Sequence, residues 1–129
     1  MNASLTLFGR VGLSLIFIIS GWGKIAAYAG TQQYMASAGL PGSLLPLVIA
    51  LELGGGLAIL AGAFTRWIAL ALAVFSLVTA ALFHAHLGDA AQAINFWKNV
   101  AMAGGFLMLA ANGAGTLSLD HLWNERRSA

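Results

Sequence analysis

The chain has 129 residues, of which 60% are hydrophobic and only 8% charged, with a formal net charge of +2. A soluble domain of this length has too little polar surface in such a composition to cover itself, and a net +2 is no nucleic-acid footprint, so the chain reads as an integral membrane protein. It contains no cysteine, which excludes disulfide exchange, thiolate catalysis and cysteine-ligated metal within the chain.

Four apolar segments can be marked: Leu5 to Ala27, Leu44 to Phe64, Trp67 to about His84, and Phe96 to Ala111. A helix needs roughly 17 to 25 residues to cross the hydrocarbon, so the first three qualify and the fourth does so only if Asn95 and Lys98 sit inside the protein at membrane depth. The expected fold is an all-α membrane protein: one domain over residues 1–129, a four-transmembrane-helix bundle with a short interfacial helix in the first outer loop and a short cytoplasmic C-terminal amphipathic segment. Arg10, an apolar run and Ala27-Tyr28-Ala29 imitate a cleavable signal peptide. We expect this segment to be retained as the first span.

In the first segment Gly12, Ser14, Ser20, Gly21 and Gly23 keep the helix slim enough for close approach to a neighbour. Arg10 falls roughly 7 Å below the near membrane edge, and Lys24 near the far end is one turn from both Ser20 and Tyr28. The loop that follows predicts a short helix beginning near Thr31 and stopped by Gly39 and Pro41, with Tyr34 and Met35 turned toward the membrane and the helix lying as a lid over the bundle. The second segment places Glu52 in an otherwise apolar run and follows it with Gly54, Ala58 and Gly62, a seam of small residues at intervals of four. Thr65 is the expected N-cap of the third segment, which carries only Ser76 and Thr79 as polar residues and reads as the most lipid-exposed or purely structural helix. Asn95, Lys98 and Asn99 share a face at the start of the fourth.

With four spans, Arg10, Arg66, Arg126 and Arg127 collect on the side of the termini, against Lys24 and Lys98 on the other, so both termini are expected in the cytoplasm. Glu52 then lies about 12 Å below the outer interface. An unpaired charge at mid-helix costs about 2.5–3.5 kcal/mol on the insertion scale, which predicts a cationic partner. Lys98 is the first choice, with Lys24 or Arg10 as further members; the expected intramembrane ion network is Arg10, Glu52 and Lys98. Candidate ligand-binding residues are Lys24, Glu52, His84, Lys98 and Asn99, forming with Asn95 a polar pocket under the outer interface. His84 and His86 are two residues apart and point different ways on a helix, so no metal site is expected. Nothing resembles a nucleophile with its base and orienter, and no catalytic residue is assigned.

Arg10 with Gly12, Gly21-Trp22-Gly23-Lys24, the run Tyr28 to Tyr34, Gly39-Leu40-Pro41-Gly42, Glu52 with its glycines, Phe83-His84, Lys98-Asn99 and Gly104-Gly105 together resemble the DoxX family of small bacterial four-helix membrane proteins. The resemblance implies residence in the bacterial inner membrane and a link to quinone or thiol redox systems. Lacking cysteine, a haem-ligand pair or a flavin motif, the chain is expected at most to hold a quinone or to serve as the membrane subunit of an oxidoreductase. Lys24, His84, Lys98 or Asn99 would supply donors to the quinone carbonyls. The competing expectation is a non-catalytic membrane scaffold or small transporter whose ion network is structural. Expected partners are membrane lipids, a redox partner subunit or a second copy in a homodimer, and no nucleic acid.

Overall fold

A computed structural model describes residues 2–84 and 87–128, and the described residues are helical with no strand. Helix α1 spans Ala3–Ala26 and opens on Asn2, whose side-chain oxygen accepts the Leu5 N–H at 3.1 Å. Helix α2, Tyr28–Ser37, follows after a break at Ala27 and ends where Gly39 adopts a φ of 82° and Leu40 N–H returns to the Met35 carbonyl. Helix α3, Gly42–Ala61, is continuous but not uniform: a 3₁₀ turn over Gly42–Leu44, an α-turn with Pro46 near its start, a π-turn over Ala50–Gly54, and α-helix again from Gly55. Helix α4 is Thr65–Phe83, α5 is Ala90–Asn112, and α6 is Leu119–Ser128.

Three of these helices, α1, α3 and α4, are long and apolar enough to cross a membrane. Helix α5 has 23 residues rather than the 16 of its apolar core, because Asp89 caps it by accepting the Ala91 and Gln92 N–H groups and the helix starts well before Phe96.

The helices pair along the chain: α1 lies on α3, and α4 lies on α5 over most of its length. Phe17, Ile59, Leu72 and Phe106 meet at the centre, where Phe17 presents an edge to Phe106 at 5.5 Å and to Phe75 at 6.3 Å. Close approach between helices depends on glycines outside the predicted four-residue seam, whose Gly62 meets Arg10 and Ser118 in the turn instead. A Cβ at Gly56 would meet Ile18 at 2.8 Å, and one at Gly21 would meet Leu53 at 2.9 Å, whereas Gly54 faces open space. The π-turn accommodates an extra residue within the helix and so shifts the contact face from Gly54 to Gly55 and Gly56.

Beyond the π-turn, the two halves of α3 keep different company. Its Gly55–Ala61 part packs on both α1 and α4, while its Leu45–Ile49 part packs on α1 and α2. The bundle is therefore closed at the end that carries the termini and open at the other end.

Candidate functional site: a polar cavity at the open end of the bundle

The open end encloses a cavity of about 400 Å³ between α1, α3, α4 and α5, roofed by α2. Its walls are apolar for the most part, with Phe17 and Phe75 at the core side and Met35 coming down from the roof. Tyr34 of α2 stacks on Phe83 of α4 with ring centroids 5.1 Å apart, and Gln32 donates to the Gly42 carbonyl at 3.2 Å. These contacts fix the roof at both sides. Met35 is thus buried in the cavity instead of turned to the surroundings as its sequence position suggests, while Tyr34 remains exposed.

The polar groups converge from four helices and a loop. Lys24 of α1 pairs with Glu52 of α3, Nζ to Oε1 at 2.8 Å, and also donates to Ser20 Oγ at 2.7 Å. The carboxylate is almost wholly enclosed, its side chain 4% exposed, while that of Lys24 is 27% exposed. Lys24 is therefore the member that looks outward into the cavity. An ammonium group has three donors, and Ser20 and Glu52 occupy two of them. Apart from Lys24, the Glu52 Oε1 atom finds no donor among the described residues. Asn99 of α5, Thr79 of α4 and His84 beyond α4 also line the space. The His84 ring is held by Gln92, Nδ1 to Oε1 at 2.7 Å.

Of the residues singled out from sequence, Lys24, Glu52, His84 and Asn99 share this cavity. Lys98 does not: it is exposed and forms no ion pair among the described residues, so the partner of Glu52 is Lys24 in its place. Helical geometry explains the correction, since Asn99 turns inward on α5 and its neighbour Lys98 must then point about 100° away. Asn95 is half-buried outside the cavity lining, and His86 lies outside the described residues. Ser20, one turn before Lys24 in the sequence, joins the site through that spacing, and Thr79 and Gln92 are further residues that the expected site did not include. Helix α4, expected to be the most lipid-exposed or purely structural helix, supplies a side of the cavity.

Arg10 also departs from the expected network. It lies 14 residues before Lys24 on the same helix, roughly 21 Å along the axis, and is 1% exposed at the opposite end of the bundle. There its guanidinium donates to the Leu117 carbonyl and lies against Gly62. Gly62 has a φ of 75°, and a Cβ on it would collide with Arg10 and Ser118. Asp120 accepts the Phe64 and Thr65 N–H groups at 2.8 and 2.9 Å. The cap of α4 is thus a carboxylate from the tail, and Thr65, the expected cap, is the first helical residue with its hydroxyl buried and unpartnered. Arg10 belongs to a clasp that ties the tail to the α3–α4 turn.

The DoxX family profile matches residues 5–85, which include α1 through α4 with Lys24, Glu52 and His84. The chain belongs to the DoxX family. Among curated DoxX relatives it is similar to the inner membrane protein YqjF of Escherichia coli K12, 52% identical over 120 residues that cover 93% of this chain and 92% of YqjF. It is also similar to the inner membrane protein YphA of the same organism, 44% identical over 90% of this chain and 88% of that one. A more distant likeness is to "Putative oxidoreductase CatD" of Bacillus subtilis, 32% identical over 66% of each chain. No solved structure matches at a significant level. Apolar helices and these relatives together make this DoxX member a bacterial inner-membrane protein.

Proposed function

We propose that the chain is a four-span DoxX subunit whose cavity binds a quinone or a similar carbonyl-bearing amphiphile, as part of an inner-membrane redox system. In this reading α5 is the fourth span, α2 and α6 lie in opposite interfaces, and both termini are cytoplasmic. The observation that carries it is Lys24. A lysine held by Glu52 and Ser20, with a third N–H left over, borders a cavity that is otherwise mainly apolar. A few placed donors in an apolar slot are what a ring with carbonyl oxygens requires, and about 400 Å³ lies within the usual range for small-molecule pockets. Asn99 supplies a side-chain amide on the adjoining wall. When bound, the quinone would supply two-electron redox chemistry; the chain's part is to hold its oxygens and keep water away from them. The name of CatD connects one relative to oxidoreduction.

The test is quinone binding by the purified protein and its variants. Lys24→Met and Asn99→Leu are expected to weaken binding, by about tenfold for the charged donor if it is worth roughly 1.5 kcal/mol or more, whereas Lys98→Met is expected to change nothing. Absence of binding in the parent, or equal binding by the Lys24 variant, would overturn the reading.

A non-catalytic scaffold is the second reading, and the Arg10 clasp favours it, because there a buried charge ties the tail to the bundle through the Leu117 carbonyl. It predicts that replacing both Lys24 and Glu52 with apolar residues leaves a folded protein that still captures its partner.

A further inference from the structure

The cavity has polar groups on its inside and an apolar rim on one flank. The Leu45–Ile49 part of α3 packs on α1 and α2, and only the part below the π-turn packs on α4. Leu44 and Val48 of α3 therefore face a gap whose other edge is Val78 and Leu82 of α4, all four of them cavity-lining residues. Val78 and Leu82 line the cavity and are nonetheless 47% and 44% exposed, and Leu44 is 40% exposed. The same side chains thus belong to the cavity and to the flank of the bundle. In a spanning arrangement that flank meets hydrocarbon, where an apolar opening carries no desolvation cost. The roof is held down by Tyr34 on Phe83 and by Gln32 on Gly42, so α2 covers the end while the flank stays open.

We infer that the cavity is entered sideways from the bilayer through the slit between Leu44 and Val48 of α3 and Val78 and Leu82 of α4, and that its occupant is a head-and-tail amphiphile whose alkyl or isoprenoid chain stays in that slit. This rests on the ligand reading above and narrows it. A polar ring alone would leave the slit unfilled; a head at Lys24 with a chain directed outward uses both features. The π-turn carries Glu52 opposite Lys24 and coincides with the point above which α3 no longer packs on α4, so the polar anchor and the opening begin at the same turn.

The experiment uses the full chain in lipid nanodiscs and two photoreactive quinones with a decyl chain, one bearing an azide on the ring and one a diazirine at the chain terminus. Labelled residues are mapped by mass spectrometry, with and without an excess of the tail-less quinone as competitor. The ring azide is expected to label around Lys24 and Asn99, and the chain diazirine to label Leu44, Val48, Val78 or Leu82, both suppressed by competitor and lost in the Lys24→Met variant. Ring labelling in the cavity with chain labelling elsewhere, for example at Ile16 and Met102 between α1 and α5 or on α2, overturns the slit alone. Absence of any competitor-sensitive label overturns the slit together with the ligand reading. Val78→Trp, which narrows the slit without touching the polar groups, is expected to reduce binding of the decyl quinone while the tail-less one binds as before; equal loss of both, or of neither, also overturns the slit.

Discussion

Glu52 and Lys24 are each costly inside a membrane protein, and each makes the other tolerable. The carboxylate is the more enclosed partner and has no alternative donor among the described residues, so it depends on Lys24 more than Lys24 depends on it. Removing one member of a buried pair leaves an uncompensated charge, at a cost of about 3–5 kcal/mol, whereas replacing both by apolar groups of similar volume is often close to neutral. Lys24→Met alone is therefore expected to lower the unfolding temperature in detergent markedly, and Lys24→Met with Glu52→Leu to restore most of the loss. A double variant as unstable as the single one would show that Glu52 has a further role in packing the π-turn. Gly62 is the second residue with a narrow requirement, since a left-handed backbone and the space taken by Arg10 and Ser118 both exclude a side chain. Gly62→Ala is expected to cost about 2 kcal/mol or more, from backbone strain of roughly 1–2 kcal/mol plus displacement of the guanidinium. Chemical denaturation of the two proteins in the same detergent measures it.

At the level of elements, the tail does more than follow the bundle. Asp120 on α6 caps α4 across 55 residues of sequence, and its own N–H reaches the Gly62 carbonyl at 2.9 Å. Phe64, held at a φ of 50°, stacks obliquely on Trp123 with centroids 5.3 Å apart. Asp120→Ala removes an N-cap worth about 0.5–2 kcal/mol and with it the tail's main polar anchor. The expected result is faster tryptic cleavage at Arg126 and Arg127 with the transmembrane helices left intact; cleavage at the parental rate would mean that Trp123 and the Arg10 bond to the Leu117 carbonyl hold the tail without Asp120. The π-turn in α3 is the other decisive element, because it moves the packed glycines to Gly55 and Gly56 and divides α3 into a half that closes the bundle and a half that opens it.

For the molecule as a whole, charge and hydropathy favour one arrangement in the membrane: Arg66, Arg126 and Arg127, all exposed, lie at the end shared by the termini. The chain has no cysteine, so single replacements are clean probes. In spheroplasts, Gly88→Cys is expected to react with a membrane-impermeant maleimide added outside, and Ser4→Cys and Ser128→Cys only after permeabilisation. The opposite pattern would invert the topology and place the cavity at the cytoplasmic face.

Hydropathy, spacing and breaker residues were enough for the all-helical plan, the three strongly apolar spans and the short helix ended by Gly39; the expected polar group held Lys24, Glu52, His84 and Asn99, which line one cavity, but also Lys98, which does not. These follow from near-neighbour chemistry, in which apolar length, helical period and left-handed glycines act over a few residues. What lay beyond the sequence was partnership. Lys98 reads as the first cation for Glu52, ahead of Lys24, until the rotation of α5 sends Lys98 outward, and Arg10 is a candidate until the fold carries it to the other end. Thr65 looks like a cap until Asp120 arrives from 55 residues away. A single π-turn, which no composition signal announces, sets which glycines touch and where the bundle parts. Local composition fixes what each helix is; the rotation and phase of helices against one another depend on many weak contacts summed over the whole bundle, and only those decide which charges meet.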